Sequence, residues 1–419
     1  MKRNSFVVIF ILFIWFVISF VTNVLGPLMP VIIENYKLSL GMASFLPFSF
    51  FLAYGVMSIP SGMLVEKYGA KKSMMMAFTL NFAGALLFAL FPTYIMALAS
   101  LFIIGIGMAM LQVIINPLMR VSGGEEHFAF YSVMGQLVFG GASFVSPFVF
   151  TYLMKNLSGY AGGGNFFIDG LSKLIPEELP WSSFYWIFSV AFILMILIIW
   201  SIRFPKVTLK EDEKTGPVES YIELLKKRQV ILYALGIMAY VGTEQGLANW
   251  MSKFLQTYHG INPVTEGAAT ISWFWGLMAV GCLVGLLLLK LFDSKIILKG
   301  VTILTMAAVF IALFGPVDVS RLAFSSTGFL IATMFSIIFS LALNSEKKHH
   351  GSFSGILCSG IFGGALIPLI IGWLGDMFGL KIGMLFLFVT LGYILSIGFW
   401  AKPIISNKTI SFNKEHSEK

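Results

Sequence analysis

Phe6-Val7-Val8-Ile9-Phe10-Ile11-Leu12-Phe13-Ile14-Trp15-Phe16-Val17-Ile18-Ser19-Phe20-Val21-Thr22-Asn23-Val24-Leu25-Gly26-Pro27-Leu28-Met29-Pro30 runs for 25 residues without a charged side chain. Wound as an α-helix, such a stretch is about 37 Å long, more than the hydrocarbon core of a bilayer. Lys2 and Arg3 precede it, as in a signal peptide. The apolar run is too long for one and lacks a small-residue cleavage site, so it reads as a retained membrane helix. Eleven more stretches of this kind follow, near 43–65, 73–91, 94–119, 129–153, 183–202, 230–256, 267–289, 296–314, 322–343, 353–375 and 382–401. The expected architecture is an all-α membrane protein with twelve transmembrane helices.

Composition agrees. Of 419 residues, 58% are hydrophobic and 11% charged, against about 25% charged in soluble domains, and the mean hydropathy is +0.88. A water-facing surface cannot be built from so little charge. A soluble enzyme, a disordered chain and a secreted disulfide scaffold are excluded. Cys282 and Cys358 both lie in apolar runs and offer neither a disulfide framework nor a cysteine metal site. No cofactor is expected. The net charge of +8 reads as basic cytoplasmic loops and not as a nucleic-acid surface.

The basic residues also orient the chain. With the N-terminus in the cytoplasm, 22 of the 28 Lys and Arg fall on inner segments. Lys37, Lys155, Lys173, Lys253, Arg321 and Lys381 fall outside. This asymmetry predicts both termini in the cytoplasm, in a cytoplasmic (inner) membrane. The hydrophilic stretch Arg203–Arg228 divides the spans six and six. The expected organisation is a six-helix half over 1–203, a cytoplasmic central loop over 204–228, a second half over 229–402 and a cytoplasmic tail over 403–419. The outer loop 156–183, with Gly162-Gly163-Gly164, is expected to be mobile. Phe139-Gly140-Gly141-Ala142 before Pro147 in span five recurs as Phe362-Gly363-Gly364-Ala365 before Pro368 in span eleven. Six spans apart is the spacing expected of a duplicated six-helix unit.

The loop after span two reads Gly62-Met63-Leu64-Val65-Glu66-Lys67-Tyr68-Gly69-Ala70-Lys71-Lys72. It resembles the signature of the major facilitator superfamily, with Glu66 where Asp is usual. The resemblance implies a gate built from Gly62, Glu66, Lys67, Gly69, Lys71 and Lys72, whose charges pair or cap a helix in one conformation only. A solvated basic loop is the plainer alternative. The corresponding loop between spans eight and nine, 290–299, is degenerate. Span four, Gly105-Ile106-Gly107-Met108-Ala109-Met110-Leu111-Gln112-Val113-Ile114-Ile115-Asn116-Pro117, is similar to the sugar branch that holds fucose:proton symporters and glucose/galactose transporters. Tyr240-Val241-Gly242-Thr243-Glu244, Phe274-Trp275-Gly276-Leu277-Met278-Ala279-Val280-Gly281 and Gly363-Gly364-Ala365-Leu366-Ile367-Pro368 agree. The resemblance implies a secondary sugar transporter of the major facilitator fold. It departs at two acids: the fucose symporters carry Glu where Gln112 stands and Asp where counting back from Pro30 lands on Gly26. A proton mechanism copied from them would therefore lack its residues.

Ionisable groups inside a membrane are costly and mark function by default. Glu244 alone is both ionisable and deep within its span, and it is the expected coupling residue for H⁺ or Na⁺. A protonated Glu bonded to a neighbouring helix for structure is the alternative. Gln112 and Asn116 share one helical face, as do Gln245 and Asn249. With Asn23 and Gln136 they supply amides that both donate and accept, as a neutral polyol requires. Trp250, Trp273 and Trp275 offer faces for its C–H side or serve as packing and interface anchors. Asn81 and Asn344 read as structural.

The expected activity is transport of a hexose such as glucose, galactose or fucose by alternating access, by a monomer in the bilayer, coupled to an ion gradient. No P-loop is present, and no cluster of groups points to an enzyme. An uncoupled facilitator, efflux of an amphipathic solute and a non-transporting sensor are the alternatives.

Overall fold

The computed structural model describes residues 5–123, 128–160, 162, 165–202, 204, 218–346 and 348–404. The side chains of Glu66, Asn116 and Arg120, the central-loop residues 205–217 and the tail from 405 lie outside the described residues. Among the described residues, twelve helical segments are long and apolar enough to cross a bilayer. They are Phe6–Tyr36, Leu40–Val65, Ala70–Leu90, Tyr94–Ile115, Met134–Leu157, Pro180–Ser201, Arg228–His259, Pro263–Leu291, Ser294–Phe314, Val317–Leu343, Gly351–Phe378 and Leu380–Trp400. They are numbered here as spans one to twelve. Each matches an expected span, with ends moved by a few residues. The chain is a multi-pass membrane protein.

Span one is two helices, Ser5–Asn23 and Leu25–Tyr36, broken at Val24. Pro27 causes the break, because it has no N–H to give the Asn23 carbonyl. In the new helix it falls in the first turn, where an N–H would have no intrahelical partner. Span ten is similarly divided into Val317–Ile331 and Met334–Leu343. Two segments expected to be irregular contain structure. The central loop ends in the helix Val218–Leu225. The loop 156–183, expected to be mobile, contains the helix Phe166–Ser172. Its Trp181 is fully buried and donates from Nε1 to Asn35 Oδ1 at 2.8 Å, which pins the end of this loop to span one.

Spans three and four, two and four, three and six, and one and five pack together within the first six. Spans eight and ten, nine and ten, seven and eleven, and nine and twelve do so within the last six. Two long seams join the sets, span two along span eleven and span five along span eight. One copy of the repeated Phe-Gly-Gly-Ala lies in each seam. A Cβ on Gly140 would stand 2.5 Å from the Ala279 Cβ, and one on Gly364 would stand 3.0 Å from the Phe51 ring. Small residues are needed where helices approach this closely.

An even number of spans puts Ser5 and Ile404 on one face of the bundle, called here the terminal face. On the opposite, far face, Gln256 Nε2 donates to Glu34 Oε1 at 2.5 Å. Nearby, Thr151 Oγ1 donates to the Val264 carbonyl at 2.5 Å. Both bonds run between the first six spans and the last six.

Candidate solute and coupling site

Span seven is surrounded by protein. From Ala239 to Leu255 every residue is buried except Glu244 and Lys253. Lys253 is near the far end, where its Nζ donates to Gln256 Oε1 at 2.9 Å. Glu244 is mid-helix, far from either water phase, yet part of its surface is open. Helices of spans one, eight, ten, eleven and twelve flank this helix, so the opening faces the interior of the bundle.

The carboxylate of Glu244 is held on both oxygens. Tyr240 Oη donates to Oε2 at 2.8 Å and Gln245 Nε2 to Oε1 at 3.2 Å. Tyr240 is one turn earlier on the same helical face. Its role was not legible from residue type alone; only the i, i+4 spacing places this Tyr and the acid on one face. Asn249 Nδ2 donates to the Gln245 carbonyl at 2.8 Å and approaches its Oε1 at 3.4 Å. The amide of Gln245 is thus fixed between acid and neighbour.

Where span one breaks, it touches span seven backbone to backbone. A Cβ on Gly26 would lie 2.5 Å from the Ala248 carbonyl oxygen and 3.5 Å from Ile271 of span eight. This close approach gives the physical reason that no acid stands at Gly26: a side chain there would displace span seven. Asn23, Gln245 and Trp275 each lie about one turn from this triple contact, all on its terminal-face side.

Asn23 is buried, with Nδ2 donating to Ser143 Oγ of span five at 2.8 Å. Ser143 is also paired with Ser19 Oγ at 2.6 Å. Asn23 Oδ1 has no partner among the described residues, nor has Nε1 of the buried Trp275. An acceptor and a donor, one from each set of six spans, are therefore buried without protein partners, an arrangement that is costly until something fills it. Gln112 is half-buried on span four, whereas the Asn116 side chain lies outside the described residues.

On the terminal face a cavity of ≈ 380 Å³ opens between spans five and ten, lined by Gln136, Phe335, Ser336, Phe339, Ser340, Leu343 and Asn344. The Phe335 ring stacks on Phe339 and meets Tyr240, each at 5.7 Å between centroids. One wall of the cavity, Phe335, thus backs onto Tyr240, the hydrogen-bond partner of Glu244. Asn344, read as structural from the sequence, lines this cavity. Asn81 is buried between spans three and four, with its Oδ1 against Gly107.

Two tryptophans expected at the site are elsewhere. Trp250 is fully buried, and its Nε1 donates to the Pro368 carbonyl at 3.1 Å, so it fastens span seven to span eleven. Trp273 is 54% exposed and packs edge-on against Phe144 in the seam of spans five and eight. At the loop after span two, Gly69 has φ +79° and joins two helices directly. Lys71 Nζ donates to the carbonyls of Trp200 and Ile202, at 2.9 and 2.8 Å, and so caps span six. Lys67 and Lys72 are exposed and Gly62 is buried.

Comparison with known proteins places this architecture. The sequence profile of the Major Facilitator Superfamily matches residues 11–362. A glucose/galactose transporter of Brucella abortus biovar 1 (strain 9-941) is 27% identical over 406 residues, 95% of this chain and 94% of that one. The L-fucose-proton symporter of Escherichia coli (strain K12) is 24% identical over 399 residues, 90% and 89% of the two chains. Among solved structures, the inward-facing, unoccupied form of a bacterial homologue of the human lysosomal transporter Spinster superposes with a TM-score of 0.77. It is 16% identical and is covered to 97%, against 96% of this chain.

Proposed function

The chain belongs to the major facilitator superfamily, a family of transporters and not of enzymes, and from that premise we propose that it carries a hexose across the cytoplasmic membrane by alternating access. Glucose, galactose and fucose are the candidate solutes, since relatives named for them align over nine-tenths of the chain. Both termini lie in the cytoplasm on this reading, as the Lys and Arg asymmetry favours. The two sets of six spans then act as halves that rock about the site. With the far face bonded shut and the terminal face open between spans five and ten, this is the inward-facing state.

One observation carries the proposal: in the buried middle of span seven the surface opens at Glu244, whose carboxylate accepts from the Gln245 amide, itself bonded to Asn249. Gln245, Asn249, Asn23 and Gln112 offer donors and acceptors to hydroxyls. The unpartnered Asn23 Oδ1 and Trp275 Nε1 are an acceptor and a donor to be filled. Gln136 lines the cavity on the terminal face, and Asn116, four residues after Gln112 on the same helix, is a further amide of the proposed site. Glu244, held by Tyr240, carries a proton or ligates a sodium ion, and the energy of the gradient enters there, about 2.3 kcal/mol per charge per 100 mV. Gly62, Glu66, Lys67, Gly69, Lys71 and Lys72 form the inner gate, with Lys71 as its anchor on span six.

The test is entry of glucose, galactose, fucose and mannose into liposomes bearing the purified protein, with and without imposed pH and sodium gradients. Entry of at least one hexose, raised by one gradient, is expected. An inert result for every hexose overturns the reading.

A further inference from the structure

Span two begins at Leu40, capped by its own Ser39, whose Oγ accepts from the Met42 N–H at 3.2 Å. Two further N–H groups of this helix end are taken by a side chain far away in sequence. Asp376, near the far end of span eleven, accepts from the Leu40 N–H on Oδ1 and from the Gly41 N–H on Oδ2, both at 2.8 Å. A carboxylate at a helix N-terminus gains from both the free N–H groups and the helix dipole.

The helices are shaped for this contact. A Cβ on Gly372 would overlap Ser44 Oγ and lie 2.7 Å from the Leu40 carbonyl oxygen, and one on Gly41 would meet Trp373 and Asp376. Ser44 Oγ itself lies 3.1 Å from the Pro368 carbonyl oxygen. Three successive turns of span eleven, at 368, 372 and 376, thus press on the first turns of span two.

The same sequence pattern stands at the opposite face. Gly372-Trp373-Leu374-Gly375-Asp376-Met377-Phe378-Gly379-Leu380-Lys381 repeats the spacing of Gly62, Glu66, Gly69 and Lys71. The backbone repeats as well: Gly69 has φ 79° and ψ 161°, Gly379 φ 90° and ψ 148°, and each ends one helix while starting the next. The corner between spans eleven and twelve is an inverted copy of the corner between spans two and three, as an inverted three-helix repeat within each half would produce.

We infer that Asp376 is the latch of the outer gate. It holds the far face shut by capping span two across the two sets of helices, and it lets go when the far face opens. The inference rests on alternating access and not on the identity of the solute. When the far face opens, spans two and eleven separate there, and the Leu40 and Gly41 N–H groups exchange Asp376 for water.

Distance measurement between spin labels at Leu90→Cys and Val319→Cys, in a chain carrying C282A and C358A, reads the opening of the far face without any solute. Leu90 and Val319 are exposed, on the third and tenth spans. Asp376→Asn keeps the shape of the side chain and removes its charge. The expected result is a rise of about threefold to tenfold in the ratio of long to short far-face distances, since each exposed helix-end charge interaction is modest. Asp318→Asn, an exposed far-face acid at the start of span ten, is expected to leave the ratio at that of the parent. Thermal melting of each variant in detergent separates a shifted equilibrium from a damaged fold. A distribution unchanged by Asp376→Asn in a folded protein, or changed equally by Asp318→Asn, overturns the inference. Failure of sugar entry with the distance shift intact would count against the solute and leave the latch standing.

Discussion

In the proposed function, Glu244 and Tyr240 carry the coupling chemistry of the membrane core. A carboxylate held by a phenol and an amide can change its proton or ion occupancy without losing its position. Glu244→Gln keeps the shape and the amide neighbours but cannot ionise. The variant is expected to lose accumulation driven by a pH or sodium gradient while retaining exchange of labelled for unlabelled sugar. Unchanged accumulation would clear Glu244 of coupling. Tyr240→Phe removes one hydrogen bond to a charged group, a loss of about 1.5–3 kcal/mol. It is expected to weaken gradient-driven accumulation about tenfold or more, read in the same vesicles, with exchange less affected. Glu244 stood out in the sequence because charge is so rare there. Tyr240 did not, because nothing in a tyrosine's identity says whether its hydroxyl meets an acid or a lipid headgroup.

At the scale of the helices, the spans were legible because a bilayer sets a minimum apolar length. The break in span one was not legible, because proline is also frequent in unbroken membrane helices. What could not be read was the rotation of each helix against partners distant in sequence. Trp250 and Trp275 lie on neighbouring spans and are equally buried. One spends its N–H on the Pro368 carbonyl and the other keeps it free. Asn344 looked structural because nothing local in the sequence shows that its end of span ten faces a cavity across from Gln136. Gly26 makes the same point from the other side: its departure from the fucose pattern was visible, but its cause is the Ala248 carbonyl 222 residues on. Gly26→Ala must push that backbone away and is expected to cost about 1–3 kcal/mol of stability, read as a lower melting temperature in detergent. Gly141→Ala, where a Cβ meets nothing within 4 Å, is the control and should melt near the parent.

For the whole molecule, the two seams and the two helix corners are where the proposed rocking of the two sets of spans acts. Spans two and eleven, and five and eight, approach closely at Gly364 and Gly140, and the ring pairs Phe45–Trp373, Phe48–Phe362 and Phe144–Trp273 interlock beside these glycines. The far face is tied by Asp376, Glu34 with Gln256, and Thr151 with Val264, whereas the terminal face holds the cavity at Gln136. Equilibrium binding of labelled hexose to the purified protein tests most directly whether the solute sits beside Glu244. The panel of Gln245→Ala, Asn116→Ala and Asn81→Ala is compared with the parent chain. The account predicts saturable binding of at least one hexose, weakened about tenfold by Gln245→Ala and by Asn116→Ala and little changed by Asn81→Ala. Equal weakening by all three, or no saturable hexose binding to the parent protein, would contradict it.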